Sequence, residues 1–220
     1  MRRLAGSDGA QALIRIGEPP DVSDGLQKCA SILALMSTKT QATIEDLLRV
    51  PGKAEIVYGE IVSMSPTGFL PGFAGGEIFA GLREHARRTE SGIATPDNVG
   101  FKVDLPNRSV FSPDAAFHMG APTGMKFLEG APVFAVEIRS DGDYGPKAEA
   151  AIVRKRLDYF AAGTLVVWDI DLLSPDVIRS YNADNPSEPL VYRRGDRAAA
   201  ESAVPGWSIA VDDLFPPKVY

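Results

Sequence analysis

The stretch "PVFAVEIRS", Pro132 to Ser140, decides the fold. Val133 to Val136 and Ile138 make an apolar run of strand length, yet Glu137 and Arg139 lie inside it. Side chains alternate across a strand. Val133, Ala135, Glu137 and Arg139 therefore share one face, and Phe134, Val136, Ile138 and Ser140 share the other. The second face reads as core, while the first turns from apolar to charged along its length. A carboxylate is costly to bury without a partner. A cation, a metal ion or solvent must meet Glu137 at that strand end; a salt bridge to Arg139 or an open sheet edge would also satisfy the pair.

Working outward, "SPDAAFHM" is a second β-like run, opening with Asp114 directly after Pro113. Asp114 precedes Glu137 by 23 positions, room for a loop and a return strand. Two carboxylates on neighbouring strands can share one oxygen-preferring divalent ion, typically Mg²⁺. Asp141 and Asp143 in "SDGDYGPK" add loop acids close by. "SPD" recurs at Ser174 to Asp176, but no acidic β-run follows it at similar spacing, and it reads as a turn. His118 shares Asp114's face and reads as packing or solvent-facing rather than as a ligand. Trp168 and Trp207 read as core.

Elsewhere the elements alternate. Thr43 caps a short helix, with Asp46 completing a capping-box variant. "AEIVYGEIVSMSP" reads as two short strands around Gly59, an N-terminal hairpin. A helix is expected over "GFAGGEIFAGLREHARRTESG", with Ile78, Phe79, Leu82 and Ala86 at helical spacing and Gly92 as its stop. A second helix is expected over "PKAEAAIVRKRLDYFAAG", with Pro146 near its start and Gly163 past its end. On that helix Ile152, Val153, Leu157, Tyr159 and Phe160 define a broad apolar face. Lys155 falls at its edge, where a lysine can lay its stem along the core and aim its amine at a strand end. Arg156 and Glu149 fall nearer the middle, as an internal bridge or with Arg156 as the working cation. "TLVVWDIDL", "DVIRSYN" and "PLVYRRG" read as strands, the last two an antiparallel pair, and "VDDLFPP" as a terminal turn. The sum is an α/β (α+β) domain, a mixed β-sheet flanked by helices.

Length and composition bound the rest. The 220 residues are 45% hydrophobic, enough for one domain with a real core. The first 35 residues mix Gly, Pro, Ser and Asp without a sustained period. They read as a disordered or non-native extension, with the domain running from Met36 to the end, 36–220. No apolar run is long enough to span a bilayer, and no signal peptide is evident. A cytoplasmic protein without membrane association is expected. A lone cysteine, Cys29, excludes an internal disulfide framework and a cysteine-based zinc site. The net charge of −6 argues against tight non-specific DNA binding, but local basic clusters occur at Arg83–Arg88 and Val153–Arg156.

Taken together, "SPDAAF", "PVFAVEIRS" and "VRKRLDYFAAGTLVVWDID" resemble the Uma-type restriction endonucleases of the PD-(D/E)XK nuclease superfamily. The hairpin fits as well, through Glu55, Gly59, Met64 and Pro66. The resemblance covers roughly Thr43 to Phe215. It implies a restriction-endonuclease-like fold in which Asp114 and Glu137 are metal ligands. Arg139 stands where the motif has its lysine, and arginine cannot serve as a base near neutral pH. In the Uma-type group the lysine commonly comes from the following helix, four residues before a tyrosine, and Lys155 and Tyr159 match that spacing. Many members also carry a histidine between Met-x-Pro and the first helix; here "GFLPGFAGGEIF" has none. Glu77 and Glu60 are further candidates, Glu77 reading equally as a solvated first-turn acid.

The expectation is therefore a Mg²⁺- or Mn²⁺-dependent DNA endonuclease with Asp114, Glu137, Lys155 and Arg139 at its site. Its partner would be DNA bound transiently, and a homodimer would let it cut both strands. The alternative is a catalytically inactive nuclease-fold binding or interaction module, favoured by the arginine, the missing histidine and the acidic charge. An α/β hydrolase has no support, because no Gly-x-Ser-x-Gly elbow is present.

Overall fold

The Thr43 side chain accepts the Asp46 N–H while the Asp46 carboxylate accepts the Thr43 N–H, closing the expected capping box. The helix it starts, α1 (Ile44–Leu47), leads into the hairpin of β1 (Ala54–Val57) and β2 (Glu60–Ser63). The computed structural model describes residues 41–217; the expected extension, residues 1–35, and the domain start at Met36 lie outside that range.

The long helix α2 (Phe69–Thr89) begins three residues ahead of the expected Gly72. Pro71 permits this, because the first turn of a helix has no use for its backbone N–H groups. Its end also differs. Glu90, in left-handed backbone at φ 52°, closes the helix by donating its N–H to Ala86. Gly92 serves the next packing layer instead. At φ 65°, a Cβ placed there would lie 2.3 Å from the Phe117 ring.

The remaining strands are β3 (Ile93–Pro96), β4 (Phe101–Leu105), β5 (Arg108–Phe111), β6 (Ala115–His118), β7 (Leu128–Glu129) and β8 (Phe134–Ile138). Helix α3 (Pro146–Ala161) then carries the chain to β9 (Val166–Ile170), β10 (Ile178–Asn182) and β11 (Asn185–Tyr192). A small pair, β12 (Arg197–Ala199) and β13 (Ser208–Ala210), and a 3₁₀ turn (Val211–Leu214) close the described chain. "SPD" at Ser174–Asp176 is a bend between β9 and β10, as read.

Six strands form one mixed sheet in the order β11-β10-β9-β8-β6-β3, and five form a second in the order β2-β1-β5-β4-β7. Only β8 and β9 run parallel in the six-stranded sheet, joined by α3 as the crossover such a pair requires. The mixed sheet expected from the sequence is present as the six-stranded one, and a five-stranded sheet and a two-stranded ribbon accompany it. The additional strands β3, β5, β7, β12 and β13 are too short to show a period.

Both faces of β8 are buried. Phe134, Val136 and Ile138 join a cluster with Ile78 and Leu82 of α2 and with Trp168 and Trp207. Ala135 joins the opposite cluster, with Phe111 of the second sheet and Tyr159 of α3. Helix α2 packs on the Ile138 face, beside Asp114: a Cβ on Gly75 would meet the Asp114 carbonyl and the Ile138 side chain at 3.5 Å, an ordinary contact distance. Glu137 therefore emerges on Ala135's side, where α3 and the second sheet meet.

Helix α3 is rotated from the expected face. Val153 and Leu157 are 40% and 48% exposed, while Arg156 and Tyr159 are buried. The Tyr159 ring stacks on Phe111 at 3.9 Å, and the Arg156 guanidinium lies 3.5 Å from the centre of the Tyr181 ring. These contacts set the rotation. The expected Arg156–Glu149 bridge does not form, because Glu149 pairs with Arg139.

Gly92→Ala should destabilise the fold by more than about 1 kcal/mol, since alanine is strained at positive φ and the buried Phe117 ring must also move. Urea unfolding gives the value; an unchanged midpoint would show that Phe117 relaxes without cost.

Candidate active site

Asp114 leaves β6 at its N-terminal end and Glu137 lies near the C-terminal end of the antiparallel neighbour β8, so the two carboxylates come together at one edge of the layer. Asp114 is fixed by the backbone of β8. Its N–H donates to the Val136 carbonyl at 2.9 Å, and its Oδ2 accepts the Ile138 N–H at 2.7 Å. Its Oδ1 holds the Lys53 ammonium at 2.6 Å, which Asp97 shares at 2.7 Å.

Glu137 meets α3. Lys155 Nζ donates to Glu137 Oε2 at 2.8 Å and lies 3.0 Å from Glu55 Oε1 on β1. The Tyr159 hydroxyl, one helical turn on, donates to Glu137 Oε1 at 2.6 Å. Glu55 is almost fully buried; it also accepts the Ser112 N–H at 2.8 Å and pairs with Arg108. Arg108 in turn donates to Asp158 at 3.0 Å. The site is thus assembled from both sheets and α3, along a cleft of about 880 Å³.

Burial sets the charge states, modified by neighbours. Burial and the Asp114 and Glu55 carboxylates raise the Glu137 pKa despite Lys155. Burial alone would raise Glu55 too, but Lys155, Arg108 and the Ser112 N–H outweigh it and hold Glu55 below the usual carboxylate range. Burial would lower Lys155, yet Glu137 and Glu55 overcome it and keep the ammonium charged. The Tyr159 hydroxyl is pushed well up by burial and by the same two carboxylates, so it remains a neutral donor. The site holds one carboxylate stabilised as an anion and one kept under electrostatic pressure.

Arg139 does not join this group. It makes a bidentate pair with Asp169 of β9, both contacts at 2.8 Å, and also binds Glu149 at the start of α3. Both members of the Asp169 pair are buried. Glu77 sits on the exposed side of α2 and Glu60 on the exposed β2; neither lines the cleft. Asp141 and Asp143 line the cleft beside Arg139, with Asp143 Oδ2 accepting the Ser140 N–H at 2.7 Å. His118 is buried, its ring 5.6 Å from that of Phe101.

A family model described as "Putative restriction endonuclease", Uma2, matches residues 44–212. The chain belongs to the Uma2 family. No curated protein matches it. Among solved structures, one described as "a putative nuclease belonging to DUF820 from Anabaena variabilis" superposes with a TM-score of 0.62 at 16% identity, over 79% of this chain and 97% of that one. That likeness is one of fold, and the Uma2 membership supports a nuclease function. Among the described residues no helix is long and apolar enough to cross a membrane.

The donor set of this Uma2 chain fits a hard divalent ion. Asp114 and Glu137 offer carboxylate oxygens at the cleft, with 14% and 24% of their side chains exposed. Among the described residues no group of three or more His, Cys, Asp or Glu side chains converges on a metal position. A pair of carboxylates suits Mg²⁺, which keeps several waters and completes its shell with substrate phosphate oxygens. Lys53 and Glu55 are the site residues that the sequence reading passed over as chemistry. Glu55 carried the same signal as Glu137, a carboxylate inside a short apolar strand. Lys53 and Asp97 carried none: Asp97 follows β3 and meets Asp114 through the pairing of β3 with β6, while Lys53, just before β1, is brought there by the second sheet.

The opposite pKa shifts predict opposite stability effects. The cost of ionised Glu137 is present above its raised pKa and disappears as pH falls through it, so Glu137→Gln should melt higher than the parent at neutral pH in chelated buffer. The Glu55 contribution is present above the ordinary glutamate pKa and is lost as pH falls through the depressed one. Glu55→Gln, which leaves buried Arg108 short of its anion, should cost about 3 kcal/mol at neutral pH and less in acid. Thermal melts from pH 4 to pH 8 check both signs.

Proposed function

We propose that the protein is a divalent-metal-dependent DNA endonuclease, with Asp114 and Glu137 holding Mg²⁺ or Mn²⁺. The observation that carries this reading is the convergence of Asp114, Glu137 and Lys155 at one cleft edge. An ion bound there supplies a water of lowered pKa and polarises a phosphodiester.

The protein's own groups do the rest. Lys155, held charged, is no base; it offsets the negative charge that develops on the phosphate oxygens. Tyr159, kept neutral, fixes the orientation of Glu137 through its hydroxyl. Arg154 lines the cleft one residue before Lys155 and has no ion-pair partner among the described residues, which suits it to a flanking phosphate. Arg139, committed to Asp169 and Glu149, acts as a positioning residue. Cutting both strands of a duplex needs two visits or a homodimer.

One observation favours the second reading, an inactive nuclease-fold module: Lys53 and Lys155 already neutralise the two candidate ligands. Mn²⁺ should raise the melting temperature of the parent but not of Asp114→Asn or Glu137→Gln. DNA cleavage should require Mg²⁺ or Mn²⁺ and fall about a hundredfold or more in either variant. Stabilisation by Mn²⁺ without cleavage of any DNA would favour the inactive module; neither effect would remove the metal site altogether.

A further inference from the structure

The turn between β1 and β2 contains only Tyr58 and Gly59, because Val57 pairs with Glu60. Both have positive φ, 51° and 71°. A two-residue turn of this hand matches the twist of the flanking strands, and its first position favours Asn, Asp or Gly. A bulky side chain is disfavoured in left-handed backbone. Tyr58 therefore occupies a position where its own backbone conformation works against it.

Packing gives no compensation. The Tyr58 side chain is 67% exposed and belongs to none of the buried clusters. Its ring stacks on no other ring among the described residues. The turn is anchored by the Tyr58 N–H, which donates to the Asn107 carbonyl at 2.8 Å, a bond that almost any residue would make. Strain retained at an exposed residue points to use of its side chain.

The place of the ring suggests the use. Tyr58 lines the same cleft as Asp114, Glu137 and Lys155, three residues after Glu55, and half-exposed Val62 lines it too. Carboxylates, a metal ion and cations deal with the sugar–phosphate backbone. An aromatic face beside them offers what a nucleobase needs, since base–aromatic stacking tolerates any sequence. In a duplex each base already stacks on its neighbours, so its face becomes available only when the base is unpaired.

We infer that Tyr58 is a base-stacking residue and that the preferred substrate is DNA with an unpaired nucleotide beside the scissile phosphate. This rests on the nuclease reading above and narrows its substrate class. The hydroxyl has no part in it; the ring face does.

The test measures binding of a fluorescently labelled oligonucleotide, single-stranded and as a duplex, in a Glu137→Gln background that prevents cleavage. Tyr58→Asn should weaken single-strand binding about tenfold or more, leave duplex binding nearly unchanged, and melt no lower than its background, since asparagine tolerates left-handed backbone. Tyr58→Phe and Tyr58→Trp should retain single-strand binding. Stacking is overturned if Tyr58→Asn binds single strands as tightly as its background. It is also overturned if the loss is equal for duplex, or if Phe fails as Asn does. If the Glu137→Gln protein binds neither form, the nuclease reading falls with it; if it binds and the Asn variant is indistinguishable, stacking alone falls.

Discussion

The Lys155 ammonium lies between Glu55 of one sheet and Glu137 of the other, and the rest of the site depends on that position. Two carboxylates buried near one another repel, and the low dielectric between packed layers magnifies the effect. A single cation reaching both converts the repulsion into a link among β1, β8 and α3. The requirement then propagates. Helix α3 must present Lys155 to the cleft, which places Tyr159 one turn on, against Phe111 and within reach of Glu137. Val153 and Leu157 are thereby turned outward, despite an apolar character that would otherwise favour burial.

Arg139 answers to a different part of the same strand. It follows Glu137 by two residues, so alternation alone would put both on one face. It does: the Arg139 N–H still bonds the Ile170 carbonyl of β9 at 2.9 Å, and its guanidinium pairs on that face with Asp169, the register partner of Glu137, and with Glu149. The pair ties β8 to β9 and to the first turn of α3, the three elements of the parallel crossover. Charge along this face is divided between a carboxylate paired with Lys155 and Tyr159 and a guanidinium committed to Asp169 and Glu149, both lining the cleft.

Much of this was legible in the sequence, and the limits have physical causes. The hairpin, α2, α3 and strands β6, β8 and β9 announce themselves through period, caps and glycine placement. The misplaced charge at Glu137 correctly signalled a strand end under unusual demand, and Asp114 could be paired with it by spacing. The second sheet was less visible, because β5 and β7 are two to four residues long and gain their identity only from their neighbours. Glu55 and Lys53 went with it. A reading that asks which charges interrupt apolar runs would have found Glu55; no local pattern would have found Lys53, whose partners Asp97 and Asp114 lie far along the chain. The expected face of α3 fails at Val153 and Leu157, whose apolarity alone pointed inward, while Lys155 at its edge does aim its amine at the end of β8.

The lysines also constrain what the site can do. Asp114 Oδ1 is held by Lys53, and Glu137 Oε2 by Lys155, so a divalent ion would compete with ammonium groups already in contact. Lys53 can yield at modest cost, because Asp97 keeps it paired when Asp114 is withdrawn. Lys155 likewise keeps Glu55 when Glu137 is withdrawn. Each candidate ligand is thus backed by a second acid that shares its lysine. That arrangement lets a metal ion be accommodated without stranding a buried cation, which is the costly outcome. It also explains why Glu55 is buried and stabilised as an anion while Glu137 is held at the cleft under pressure: Glu55 anchors the lysine, and Glu137 is left free to exchange its partner.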